Sequence, residues 1–316
     1  MAITSQMVKA LRDKTNAGMM DCKNALTECD GDIEKAVDWL RQKGLVTARK
    51  RSGRATKEGL VLSAETPDGQ KAALVELNTE TDFVAKMDSF KDLTLNIANY
   101  LLQAKDVPTD VPTLLSCTCP KCGKVIGDVI NEAVGTTGEN MKLRRFAVFA
   151  AEGGLVHSYI HMNGRLGVLV NLKVEKNGPQ AVELAHNLAM QIAATNPLAV
   201  NASDVPQAVI EREKAVYAVK AAEEVDQKIE NQKKQEQSGK KGKPLDKDQM
   251  VQRIVEGQLK KFFAEATLLE QPYVKDPAKN VSKLIQEAAK DLGAITVTQF
   301  ARFQLGEEIE GESSPE

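Results

Sequence analysis

Apolar positions recur along this chain at two spacings. In residues 1–45 the spacing is helical: Met7, Val8 and Leu11 follow Ser5, Met19, Cys22, Leu26 and Cys29 follow a break at 15–18, and Ile33, Ala36, Val37 and Leu40 follow Asp32. That period predicts three short helices, the third stopping at Gly44. From residue 58 the pattern tightens to that of strands. GLVLSAE, the turn Thr66-Pro67-Asp68-Gly69 and KAALVELN predict a β-hairpin, and Phe90, Leu93, Ile97 and Leu101 predict the helix that follows it.

The same succession then returns. Gly154-Leu155-Val156, Ser158, Gly164, Leu169-Val170 and Leu172 match Gly59-Leu60-Val61, Ser63, Gly69, Leu74-Val75 and Leu77 at one ungapped offset of 95 residues, and Leu188 and Ile192 match Leu93 and Ile97 at the same offset. Two related hairpin-plus-helix units, packed as paired subdomains, are the expectation. Between them Val125, Ile126, Val129, Ile130 and Ala133 predict a helix ending at Gly135, and GENMKLRRFAVFAAEGG is expected to introduce the second hairpin, with its turn at Asn163-Gly164. Residues 205–262 predict an antiparallel helical hairpin with Val209, Val216, Val219, Ala222, Val225 and Ile229 along one arm and Val251, Ile254, Val255 and Phe262 along the other. A helix carrying Val281, Leu284, Ile285 and Ala288 precedes ITVTQFARF, a strand expected to return to a core sheet. The fold class is α+β: an N-terminal three-helix module, duplicated hairpin-plus-helix core subdomains and a protruding antiparallel helical hairpin. The division reads 1–46 for the module, 47–57 for a basic linker, 58–140 for the first subdomain, 141–197 with 263–305 for the second, 198–262 for the inserted hairpin and 306–316 for a disordered acidic tail.

Composition narrows the function classes. The chain is 42% hydrophobic and 27% charged, with no long apolar run, so a soluble cytoplasmic protein is expected. A net charge of −2 confines nucleic-acid binding to local basic patches such as Arg49, Lys50, Arg51 and Arg54. No phosphate-binding Gly-Lys loop, GxSxG or HExxH is present and there are three histidines, so no enzyme and no cofactor are expected. Cys117, Cys119 and Cys122 in CTCPKCGK have the turn of a zinc knuckle but lack a fourth ligand nearby, which makes them a weak metal candidate. His157, Tyr159 and His161 alternate along one strand face, as a solvent-facing polar side would. Of Met19 and Met20 beside a glycine turn, at least one is expected in the core.

The stretch Asn78-Thr79-Glu80-Thr81-Asp82-Phe83-Val84-Ala85-Lys86 stands apart. Thr81 or Asp82 can cap the helix that follows, and Phe83 then sits at a helix start with no evident packing duty. The second repeat unit has Lys176-Asn177-Gly178 at the corresponding places, so the scaffold does not require Phe83. A phenylalanine folded back onto the core and one added for contact with another molecule both fit.

VKALRDKTNAGMMDCKNAL, NTETDFVAK, GENMKLRRF, SYIHMNGRLGVLVNL and AMQIAATNP, in that order, closely resemble signatures of the bacterial elongation factor Ts family, the nucleotide exchange factors of elongation factor Tu; LEQPYV and the final strand carry the likeness to about residue 305. The resemblance implies a first module of ubiquitin-associated type and a partner, elongation factor Tu, in its nucleotide-free and GDP forms, with a homodimer or 2:2 complex among the possible assemblies. It implies that Thr81, Asp82, Phe83 and Val84 dislodge the partner's magnesium, Asp82 and Phe83 entering its nucleotide-binding domain, and that Met19, Met20 and His161 contact the partner. CTCPKCGK departs from the family pattern, and the extra C-terminal helical module of some members is missing. An RNA- or ribosome-associated adaptor using the basic linker is the alternative.

Overall fold

In the computed structural model, which describes residues 3–15, 17–120, 122–237 and 246–309, the N-terminal module is three helices: α1 (Ser5–Thr15), α2 (Met19–Glu28) and α3 (Ile33–Arg51). Asp32 caps α3 by accepting from the Glu34 and Lys35 N–H groups at 3.0 and 3.1 Å. Leu11, Cys22, Ala25, Leu26 and Ala36 form the small core, whereas Met19 and Met20 are both exposed, against the expectation that one of them fills it. The predicted stop at Gly44 is also corrected. Gly44 is buried inside α3 where this helix crosses α7 (Ile126–Thr137), and a Cβ on Gly135 would lie 2.6 Å from the Gly44 Cα. Gly44 and Gly135 therefore serve close helix approach, α7 runs on past Gly135 to Thr137, and Arg49, Lys50 and Arg51 of the expected linker form the last turn of α3, where cations favour the helix dipole.

The core begins with β1 (Glu58–Glu65) and β2 (Lys71–Thr79), paired antiparallel as predicted. Next come α4 (Asp82–Ala85), α5 (Asp88–Gln103), α6 (Val111–Ser116) and α7, then β3 (Met141–Ala150). β3 pairs with β2, so residues 141–150 complete the first sheet and do not belong to the second unit, to which the pattern assigned them. Periodicity identifies a strand but carries no information about a partner far away in sequence. The second sheet mirrors the first: β4 (Gly154–His161) pairs with β5 (Leu166–Val174), which pairs with β8 (Ile295–Gln304), the returning strand expected from ITVTQFARF. Between them in the chain stand α8 (Pro179–Thr195), α9 (Gln207–Gln237), α10 (Lys247–Ala266), the short β6 (Pro272–Tyr273) and β7 (Asp276–Asn280), and α11 (Val281–Leu292).

The offset of 95 residues is visible in three dimensions. Val61 N–H donates to the Gly164 carbonyl at 2.7 Å, and its counterpart Val156 donates to the Gly69 carbonyl at 2.8 Å. The Ser63 hydroxyl meets that of Ser158 at 2.9 Å, and bulges fall at Glu76/Leu77 in one sheet and Asn171/Leu172 in the other. Each residue meets the mirror partner of the residue that meets it, which is the signature of an approximate two-fold axis between the hairpins. Val61, Leu74, Val156, Leu169 and Phe303 fill the space between the sheets, while Leu93 and Ile97 on α5 and Leu188 and Ile192 on α8 are buried on their own sheets. α9 and α10 pack on each other and make no extensive contact with any other named element. On α9 Ala221 and Val225 are buried, whereas Val216 and Val219 of the predicted stripe face outward, so the seam runs through part of that stripe only. The tail predicted to be disordered from 306 is held at its start, Gly306 N–H donating to Glu76 at 3.4 Å and Glu307 pairing with Arg145 at 2.6 Å. The lysine-rich tip at 238–244 and the tail beyond 309 lie outside the described residues.

The close approach of α3 and α7 has a testable sign. Alanine ordinarily stabilises a helix interior by about 1 kcal/mol relative to glycine, and Gly257→Ala on α10, with nothing within 4 Å of its Cβ, should show that gain. Gly135→Ala is expected to lose stability instead, by about 1–3 kcal/mol from overpacking. Urea unfolding measures both, followed by circular dichroism for Gly257→Ala and by the single tryptophan, Trp39 on α3, for Gly135→Ala.

Candidate partner-docking site

At the end of β2 the chain turns from a sheet into a four-residue helix, and two carboxylates hold that turn. Glu139 accepts the Thr81 hydroxyl at 2.6 Å through one oxygen, and the Thr79 hydroxyl and Thr81 N–H at 2.9 and 3.0 Å through the other. Glu80 accepts the Asn140 N–H at 2.6 Å and the Arg54 guanidinium at 3.3 Å, with Arg51 at 4.0 Å. Partial burial pushes the Glu80 pKa up, but the Asn140 N–H and the two arginines outweigh it and hold the carboxyl below its ordinary value. Asn140 completes the clamp by donating to the Arg54 carbonyl at 2.8 Å. Sequence reasoning saw GEN only as part of a longer likeness; that Glu139 grips Thr81, 58 residues earlier in the chain, depends on the β2–β3 pairing.

This clamp sorts the four predicted residues into two roles. Thr81 is the N-cap, accepting from the Val84 N–H, and Val84 is buried in the first core. Asp82 and Phe83 face outward, and Phe83 is 79% exposed, the most exposed large apolar side chain among the described residues. It is not folded back onto the core. Asp82 accepts from Lys86 at 2.6 Å; that bond first, and the nearby Arg165 charge to a smaller degree, keep its carboxyl below the usual pKa.

Arg165 belongs to the turn joining β4 and β5, which brings the second subdomain to the motif. It pairs with Glu58 at 3.3 Å, beside the β1–β2 register pair Glu58 and Thr79. The predicted residue His161 stands at the end of β4, exposed, with its Nδ1 2.8 Å from the Tyr159 hydroxyl. The rest of that strand face is not solvent-facing as predicted: α8 covers it, Tyr159 packs on the second core, and the His157 side chain is 16% exposed, with Nε2 3.1 Å from Nδ1 of His186. Burial lowers the His157 pKa, Glu65 partly offsets this, and His186 adds to the lowering.

Met19 and Met20 form their own exposed pair at the start of α2. They connect to the motif through α3, whose end supplies Arg51 and leads into Arg54. Two of the four basic residues of the RNA alternative are thus engaged in holding Glu80. Cys117 donates to the Thr113 carbonyl at 3.3 Å and hydrogen-bonds Tyr100, which with burial pushes the phenol up to about 12; Cys122 is exposed. Among the described residues no group of three or more His, Cys, Asp or Glu side chains is arranged to hold a metal ion, and no helix is long and apolar enough to cross a membrane.

A rigidly clamped, outward-facing phenylalanine flanked by an ionised aspartate, on a surface to which both subdomains contribute, has the construction of a protein-docking surface. Comparison with known proteins gives this chain a family. The family model for elongation factor TS matches residues 80–307. Elongation factor Ts of Desulfovibrio desulfuricans is 45% identical over 314 residues, covering 97% of this chain and 99% of that protein. Those of Trichlorobacter lovleyi and Clostridium perfringens are each 42% identical, covering 99% and 98% of this chain and 96% and 94% of their own lengths. The chain belongs to the elongation factor Ts family, among the elongation factors of protein biosynthesis.

Two outcomes follow from the geometry. Glu139→Ala leaves two hydroxyls and an N–H without their acceptor and is expected to cost about 1–3 kcal/mol, with faster amide hydrogen exchange at Thr81 and Val84; urea unfolding and exchange mass spectrometry measure the two effects. Because the folded-state pKa of His157 is depressed, the unfolded chain binds the proton more readily, and stability falls as pH drops through the ordinary histidine value of about 6.5. Thermal unfolding at two pH values on either side of it should show a smaller loss for His157→Asn than for wild type.

Proposed function

We propose that this chain is the guanine nucleotide exchange factor of elongation factor Tu, working in the cytoplasm during translation elongation and promoting GDP release by disturbing the partner's magnesium and phosphate site. The exposure of Phe83 on a clamped helix carries the reading: an apolar ring held in water by three hydrogen bonds to Glu139 has no packing duty within its own chain. A GTPase retains GDP through phosphate contacts and a magnesium ion. A protein that binds the nucleotide-free form more tightly weakens GDP by the same factor by which GDP weakens it. No covalent bond need change in this chain, so its role is not that of an enzyme acting on a substrate.

The residues divide the work. Phe83 wedges between elements of the partner, and burying its side chain supplies about 1.5–3 kcal/mol, or roughly one to two powers of ten in an equilibrium constant. Asp82, kept ionised by Lys86 and Arg165, brings negative charge to the magnesium region. Thr81 and Val84 fix the helix that presents them, from its cap and from the core. Met19, Met20 and His161 add binding energy that favours the open partner.

Release of a fluorescent GDP from purified elongation factor Tu, chased with excess unlabelled GDP, tests this. Wild type should accelerate release, and Phe83→Ala should lose roughly ten- to a hundredfold of that acceleration while keeping its circular dichroism and melting temperature. Full acceleration by Phe83→Ala would remove the wedge, whereas no acceleration by wild type would remove the exchange function. Salt-sensitive RNA binding lost on neutralising Arg49, Lys50, Arg51 and Arg54 would then favour the adaptor reading.

A further inference from the structure

Met162, at the tip of the second hairpin, is 63% exposed and has φ +51°. A left-handed backbone is unfavourable for a residue with a Cβ, and methionine, unlike asparagine or aspartate, has no short polar group to compensate locally. The tight reversal itself calls for the left-handed backbone, which Asn163 and Gly164 share at φ +54° and +89°, but it does not call for a methionine there, nor for an apolar side chain in water. The repeat supplies an internal control. At the offset of 95 residues Met162 corresponds to Pro67, and the first hairpin makes its turn with Pro67, Asp68 and Gly69, of which the glycine alone has a positive φ. The hairpin architecture can therefore be built without a strained methionine.

The position of this turn says what it faces. The Gly164 carbonyl accepts from Val61, a Cβ on Gly164 would lie 2.8 Å from Leu60, and the Arg165 carbonyl accepts from Leu305 at 2.8 Å, so the tip is pinned to the first subdomain. Arg165 pairs with Glu58 at 3.3 Å, and Glu58 stands opposite Thr79, the last residue of β2 before the Phe83 helix, so the tip lies at the end of the first sheet from which that helix starts. Methionine is flexible and polarizable, suited to an apolar surface whose shape changes during binding.

We propose that Met162 is an apolar contact for the GTPase partner in addition to Phe83, so that the two core subdomains each insert one large apolar side chain into the same partner. This rests on the exchange-factor reading and extends it to a residue at which the two repeat units differ. Met162→Gly relieves the left-handed strain and removes the contact together. It should melt at or above the wild-type temperature yet bind elongation factor Tu about tenfold more weakly and release fluorescent GDP correspondingly more slowly. Met162→Leu, which keeps the apolar bulk, should retain most of the affinity, and Met162→Asn, which suits the turn without it, should lose it. Wild-type affinity in Met162→Gly and Met162→Asn, alongside a defective Phe83→Ala, would overturn the second contact and leave the exchange reading standing. A wild-type chain that neither binds elongation factor Tu nor speeds GDP release would overturn both.

Discussion

Two reciprocal backbone hydrogen bonds organise this molecule. Each core hairpin offers the carbonyl of its turn glycine, Gly69 or Gly164, to a valine on the first strand of the other, Val156 or Val61. A shared acceptor geometry at both ends fixes the hairpins in translation and rotation together, so the two sheets can meet in one register. The consequence reaches beyond stability. Docking the second hairpin's turn against β1 puts Arg165 against Glu58, and so makes one surface of residues 107 positions apart in the chain.

The two halves share geometry but differ in charge. At the first bulge, Arg144 and Arg145 both face one residue of the neighbouring strand, because a bulge sets two residues against one. That residue is Glu76, fully buried, which accepts from Arg144 at 3.2 Å and Arg145 at 2.7 Å. Arg145 also grips Glu307 at 2.6 Å and covers the Phe303 ring, and Arg144 donates to the Glu307 carbonyl. The chain following β8 is thereby fastened to the first sheet. At the corresponding bulge the second unit has Asn171, which donates to the Ala150 carbonyl instead. A buried ion cluster is weak evidence of net stability, since desolvation offsets much of its attraction, but removing one member strands the others. Its positional effect is plainer: a carboxylate between two guanidiniums admits few alternative registers.

How much of this was legible depended on range. The hairpins, the flanking helices and the repeat could be read because strand alternation, turn residues and helical spacing are local. The oddity of Phe83 was legible too, through its absence at Gly178. Gly44 misled because a glycine that permits helix contact and one that stops a helix look alike until the partner, Gly135, is known. β3 was assigned to the wrong sheet for a related reason: its alternation suits either, and the choice is made by partner strands. Met19 and Met20 have apolar side chains that composition alone assigns to a core, yet the module's core is filled by smaller residues such as Cys22, Ala25 and Ala36. The Glu139 clamp had no local signal at all, being a contact between two loops that only the β2–β3 register brings together.

That clamp explains how so short a helix can present a large apolar group. Four residues cannot sustain a helix alone, since nucleation fixes several dihedrals for each hydrogen bond formed. Here Thr81 caps one end, Val84 and Ala85 anchor the inner face, and Glu139 holds the approach, so the ordering cost is met during folding. Ordering completed before docking is not deducted from affinity afterwards. The outward pair complements this rigidity with lability. The Asp82–Lys86 contact is exposed, and exposed ion pairs contribute little, so Asp82 can exchange its lysine for a new environment at small cost while Phe83 leaves water. A stiff base with weakly committed outer groups is what a surface needs if its favourable free energy is to appear on binding and not before.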